Sequence, residues 1–194
     1  EARRRAAIEA LVACFEQTAE VGGEVVVCHP NGKADPFTRE TFKASWARTL
    51  ESLAILAERA RRAGVKIALE NLPAYGQPRP GITIGEVLAM IDGLGENVGI
   101  CLDVGHSNAN GLSATSEALE AADKLLVLHL QDNDGLGEDQ HLIPGQGTID
   151  WDGFLTTLDG TSFQGVRTIE ITYRPGLEAT MKALADLRRQ WEGR

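Results

Sequence analysis

The sequence predicts an α/β fold in which a parallel β-sheet is covered by helices, and three observations predict it. Short apolar runs alternate strictly with longer segments of helical period. The runs are apolar at consecutive positions rather than every second one, the pattern of strands buried on both faces. Successive runs lie roughly 30 to 40 residues apart, room enough for one crossover helix between parallel neighbours. An open doubly wound sheet and a (β/α) barrel both satisfy this pattern.

Each element has its own local cause. Ile8, Leu11, Val12, Phe15 and Ala19 share one face of an opening helix, which Gly22-Gly23 stops. Glu24 to His29 form the first strand, broken by Pro30 and Asn31-Gly32. Phe42, Trp46, Leu50, Leu53 and Ala57 recur at helical spacing within a segment from Phe37 to Arg62, ended by Gly64. Val65 to Glu70 is the second strand. Thr83 and Glu86 have capping-box spacing ahead of Val87, Leu88 and Ile91, so a helix starts there. Val98 to Asp103 is the third strand, and a short helix over Ser116 to Ala122 leads to the fourth, Leu125 to Leu130. A Gly/Asp-rich loop runs from Gln131 to Thr148, with a helix starting near Asp150. Val166 to Ile171 is the fifth strand, and a last helix spans Leu177 to Trp191. No linker or low-complexity tract interrupts residues 1–194, so a single domain is expected.

Composition narrows the partners. The 194 residues carry 19 Lys+Arg against 28 Asp+Glu, a net charge of −9. That balance argues against a general nucleic-acid surface, because phosphate affinity is mostly a Lys/Arg effect. No apolar run approaches the roughly 20 residues that span a bilayer, and no signal-peptide core opens the chain. Three cysteines (Cys14, Cys28, Cys101) without CxxC spacing read as reduced thiols of a cytoplasmic protein, the two within strands as buried and inert. Phosphate-cradling glycine motifs and a nucleophile-elbow serine are absent.

The informative positions are the strand ends: His29, Glu70, Asp103, His129 and Glu170. With 28 Asp+Glu and 4 His among 194 residues, one such residue closing every run is not a composition effect. In parallel α/β folds these C-terminal ends are where catalytic groups from different strands converge. Buried carboxylates set side by side repel one another unless a cation is present. An oxygen-rich set with one imidazole suits Mn, Mg, Co or Zn better than a thiolate-seeking metal. All four histidines, His106 and His141 included, fall on strand ends or following loops, and no predicted helix carries one.

Several segments recur in the order of a known family: Glu70-Asn71, Leu102-Asp103-Val104-Gly105-His106, Val127-Leu128-His129-Leu130-Gln131-Asp132, Asp139-Gln140-His141, and Pro144-Gly145-Gln146-Gly147-Thr148-Ile149-Asp150-Trp151, with Glu170 beyond. From Val25 to Glu170 the chain resembles the xylose isomerase-like TIM-barrel superfamily, and within it the sugar phosphate isomerase/epimerase branch. The resemblance implies a (β/α)8 barrel of eight strands, of which this chain holds the last five βα units. Three units are then expected ahead of Glu1, in a longer parent chain rather than in a second polypeptide.

It also implies roles. Glu70, Asp103, His129 and Glu170 would hold one divalent ion (Mn, Mg, Co or Zn), with Glu70 and Glu170 also the catalytic acid/base pair. His106 would steady a substrate oxygen, and His29, Asp139, His141 and Trp151 would line the substrate site, although the start of a helix gives Trp151 a packing role as an alternative. The implied activity is isomerisation or epimerisation of a small sugar or sugar phosphate, by proton abstraction next to a chelated carbonyl. In related keto-hexose epimerases an arginine stands six residues past the histidine ligand; here that place is Gly135, which speaks against a ketohexose. The related alternative is a zinc-dependent apurinic-site endonuclease using His29, His106, Asp139 and His141 as further ligands. A metal-free binding relative is the third reading, and a homo-oligomer is left open.

Overall fold

The computed structural model describes residues 1–31, 38–172 and 176–192. The predicted helix start at Phe37 and the breaker Gly32 lie outside these residues. Elements alternate as predicted: α1 (Ala2–Glu20), β1 (Val25–Cys28), α2 (Arg39–Ala63), β2 (Lys66–Glu70), α3 (Ile84–Ile91), β3 (Val98–Asp103), α4 (Val104–Ala109), α5 (Ala114–Ala121), β4 (Leu125–Leu130), α6 (Trp151–Asp159), β5 (Val166–Ile169) and α7 (Leu177–Glu192).

All five strands are parallel and stand in the order β1-β2-β3-β4-β5. A doubly wound sheet reverses its order at a switch point; this one never does, so it is a partial (β/α)8 barrel. Residues that alternate along each strand separate into two layers. On the helix-covered face Ile67, Leu69, Ile100, Leu102, Leu128 and Leu130 join Phe15, Val87 and Phe154 in the main core. On the other face Ala68, Cys101 and Val127 form a smaller cluster with Val25 and Val27. Each of Val27, Ala68, Cys101 and Val127 lies two residues before a strand-end group. His29, Glu70, Asp103 and His129 therefore continue that same inner face into the mouth.

Local signals explain most boundaries. Thr38 caps α2, accepting from the Thr41 amide, and Gly64 closes it at φ 76°, where a side chain would be strained. Thr83 accepts from the Glu86 amide as the capping spacing predicts, but the Glu86 carboxylate turns to the amides of Gly81 and Ile82. Three expectations need correction. In α2 the buried stripe runs through Ser45, Thr49, Leu53, Leu56, Ala57 and Ala60, leaving Leu50 exposed; in α1, Ala19 is exposed. The outer strands β1 and β5 are not buried on both faces, because each has a neighbour on one side only. The six-residue α4 was not anticipated; it is too short to show a periodic stripe, and it carries His106.

Close approach of backbones accounts for one glycine. A Cβ on Gly99, in β3, would stand 2.5 Å from the Lys124 carbonyl oxygen and 2.7 Å from the Leu126 side chain. Gly99→Ala is expected to cost about 1–3 kcal/mol by overpacking, read as a lowered urea midpoint; an unchanged midpoint would contradict the packing described.

Candidate metal centre

Four strand ends converge on one imidazole. His129 Nδ1 lies 3.1 Å from Glu70 Oε1, 2.7 Å from Glu170 Oε2 and 3.9 Å from Asp103 Oδ2. One ligand atom from each of Glu70, Asp103, His129 and Glu170 falls within 4.8 Å of the others. His29 joins from β1, its Nε2 3.1 Å from Glu70 Oε2. Glu70 and Asp103 are buried, whereas Glu170 stays half-open at the edge.

The two buried carboxylates respond oppositely to this crowding. Burial pushes Glu70 up, but hydrogen bonds from His129 and His29 overcome it and hold the carboxyl down at about 2. Asp103 lacks such partners: burial, with the Glu70 charge beside it, pushes it up to about 7 against the pull of His106. Its Oδ1 accepts from the His106 amide (2.7 Å) and from Gln131 Nε2 (3.2 Å), while its Oδ2 is buried without a hydrogen-bond partner among the described residues. Glu170 is lowered, chiefly by its bond with His129. His129 is raised despite burial, because Cys101, Glu170 and Glu70 accept from it. An orphaned carboxylate oxygen facing two more carboxylates and an imidazole is a donor set that fits a divalent cation.

A second grouping adjoins the first. His106 Nε2 and His141 Nε2 stand 3.2 and 3.0 Å from the same Asp139 Oδ2. Each ring donates from Nδ1 to a backbone carbonyl, His106 to Asn71 (2.8 Å) and His141 to Glu170 (3.0 Å). The Nε2 atoms then face the carboxylate either as protonated donors or as lone pairs around a shared ion. Without an ion, burial lowers both histidines but Asp139 outweighs it for His106, which rises to about 9; His141 is also raised, through its Glu170 carbonyl bond and Asp139. His141 sits at φ 50°, a strained backbone of the kind that concentrates at functional sites.

The sequence-based set is thus brought together with one exception. Trp151 is built into the core: its indole packs on Phe154 and Trp191, and its Nε1–H donates to Asp132 Oδ2 (2.8 Å). The sequence reasoning missed four residues that shape the site. Asn71 clamps β2 to β3, donating to the Asp103 carbonyl and accepting from its amide. Asp132 gathers the following loop, accepting from the amides of Asn133, Gly145 and Ile149 besides Trp151. Tyr75, at φ 50°, reaches Asp139 Oδ2 with its hydroxyl at 3.5 Å. Gln131 bridges Asp103 and Asp139. Its place two residues beyond His129, on the strand's period of two, was the available signal.

Cys28 and Cys101 are buried, and burial pushes both thiols up to about 12, whereas Cys14 is exposed. One thiol per native chain is therefore expected to react with Ellman's reagent at pH 8, and three after unfolding; a second fast-reacting thiol in the native protein would show that the layer beneath the centre is open.

Similar proteins agree with this geometry. Over 184 residues the chain is 31% identical to the inosose isomerase of Bacillus licheniformis, covering 90% of this chain and 63% of that one. It is 30% identical over 172 residues to an uncharacterised protein of Methanocaldococcus jannaschii, covering 86% and 57%. Among solved structures, a D-tagatose 3-epimerase-like protein superposes with a TM-score of 0.85 at 26% identity, over 97% of this chain and 70% of that one. The IOLI protein with a binding zinc atom superposes at 0.76 and 25%, over 95% and 68%. The chain spans less than two thirds of the curated relatives it matches. The family model for the xylose isomerase-like TIM barrel matches residues 1–191, and with five consecutive parallel strands in sequential order, the chain belongs to the xylose isomerase-like TIM-barrel family.

Proposed function

We propose that this chain carries the metal centre of a divalent-metal-dependent isomerase or epimerase acting on a small hydroxy-carbonyl carbohydrate. The observation that carries the reading is the convergence of Glu70, Asp103, His129 and Glu170, with the orphaned Asp103 Oδ2 among them. Similar proteins support it: one is an inosose isomerase, and another is the IOLI protein with a binding zinc atom.

The chemistry a bound divalent ion supplies here is polarisation of a carbonyl and stabilisation of the oxyanion that develops beside it. Asp103 and His129, from adjacent strands, fix the floor of the site. Glu70 and Glu170 enter from strands separated by β3 and β4, so they can address one carbon from two directions. One takes the proton beside the carbonyl and the other returns it, the division of labour epimerisation requires. His106 Nε2 and His141 Nε2 are positioned to hold a substrate hydroxyl near Asp139. Gly135 stands at φ 73°, where an arginine would be strained, so the substrate is read as other than a ketohexose held from that position.

Glu70→Gln and Glu170→Gln are each expected to lower turnover by about 10²–10⁴-fold, the usual worth of a positioned acid or base, with the circular dichroism spectrum unchanged; full activity in either variant would refute its proton-transfer role. Incubation in D₂O with a panel of inososes, ketoses and their phosphates should wash deuterium into the carbon beside the carbonyl. Dialysis against a chelator should abolish that exchange, and Mn, Co or Zn should restore it.

The His106–Asp139–His141 grouping favours a second reading, a multinuclear zinc phosphodiesterase. Metal content separates the two, since one equivalent per chain belongs to the isomerase and three zinc ions belong to the nuclease.

A further inference from the structure

Gln131 occupies the junction of the two groupings and is fully buried. Its Nε2 donates to Asp103 Oδ1 at 3.2 Å and to Asp139 Oδ1 at 2.6 Å. An amide nitrogen has two hydrogens, so both are spent on carboxylates. Asp103 Oδ1 also accepts from the His106 amide at 2.7 Å, which fills that oxygen and leaves Oδ2 as the one still open. That open oxygen lies 3.7 Å from His106 Nδ1 and 3.9 Å from His129 Nδ1. Asp139 Oδ2 is likewise left to His106 and His141, with the Tyr75 hydroxyl at 3.5 Å. The amide lies close against Gly105, where any added Cβ would collide with it.

We propose that Gln131 is a positioning residue that orients Asp103 and Asp139 together, aiming the outer oxygen of each at its own histidines and at the cation position. Its neutrality is what distinguishes it from a lysine placed between the same carboxylates. An ammonium would orient them equally well but cancel the negative charge that attracts a divalent ion, whereas an amide orients without neutralising. This rests on the metal-centre reading above and deepens it by adding a residue that touches neither ion nor substrate.

The test measures metal affinity rather than turnover. Apparent dissociation constants for Co(II) and Zn(II) are measured on the full chain by competition with a chromophoric chelator, for the wild type, Gln131→Met and Gln131→Lys. Groups behind metal ligands are commonly worth about 10–100-fold in affinity, so Gln131→Met is expected to bind about that much more weakly, with an altered Co(II) visible spectrum. Gln131→Lys, which keeps the donors but adds charge, is expected to bind more weakly than wild type as well. A residue that serves only the fold would lower the melting temperature of the metal-free variants and leave affinity and Co(II) spectrum alone. Affinity of Gln131→Met within twofold of wild type would overturn the proposal. If Gln131→Met fails to fold, Gln131→Asn, whose shorter side chain cannot span both carboxylates, decides by the same criterion. A wild-type chain that takes up no divalent ion would overturn the functional reading as well, and that result is visible before any variant is made.

Discussion

Three carboxylates held within reach of one imidazole at the mouth of a parallel sheet form the constraint on which the rest of this structure depends. Negative charge at that density is unfavourable inside a protein unless something positive answers it. Glu70 is answered by His129 and His29 and stays low at about 2. Asp103, with no donor on Oδ2, rises to about 7 under burial. The open Asp103 Oδ2 among these carboxylates is the observation that supports the proposal of a cation completing the set.

The scaffold makes that concentration unavoidable. Five strands running the same way in sequential order bring their C-terminal ends to one side, and the period of two places His29, Glu70, Asp103 and His129 on the inner face above Val27, Ala68, Cys101 and Val127. Small and medium side chains in that layer keep the strands close, while the larger ones face the helices. Asn71 then ties β2 to β3 at the height of Asp103, and Asp132 ties the long loop to α6 through Trp151. These clamps are local and polar. The Asn71 clamp fixes the site without adding charge to it, whereas Asp132 is itself a carboxylate that spends its oxygens on the loop amides and the Trp151 indole.

Strand existence, order of elements and the four convergent residues were legible in the sequence, because a doubly buried parallel strand is a continuous apolar run that ends where polarity returns. Leu50 shows where the reading fails: α2 buries Ser45 and Thr49 in its place, and hydrophobicity alone cannot place a stripe that includes small polar side chains. The short α4 was invisible for a related reason, since its start depends on Asp103 accepting from the His106 amide rather than on apolar spacing. Gln131 and Asn71 were passed over because a buried amide is indistinguishable by type from a solvated one. Only the partners, separated by tens of residues, reveal its use. Trp151 was ambiguous between pocket and core, and its indole bond to Asp132 resolves that in favour of the core.

The charge pattern also bears on how many ions this mouth is built for. His106 and His141 together face the single carboxylate of Asp139, two imidazoles to one carboxylate. In the four-residue set His129 is shared among three carboxylates, His29 reaches Glu70, and His106 Nδ1 lies 3.5 Å from Glu70 Oε1 and 3.7 Å from Asp103 Oδ2 while bonded to the Asn71 carbonyl. Carboxylates therefore outnumber imidazoles at Glu70, Asp103, His129 and Glu170, whereas imidazoles outnumber the carboxylate at His106, Asp139 and His141. That asymmetry supports the proposed reading of one divalent ion at the four-residue set, with the neighbouring histidine–carboxylate grouping left to bind substrate. A cluster of three ions would instead need His106 and His141 neutral, each presenting its Nε2 lone pair beside Asp139.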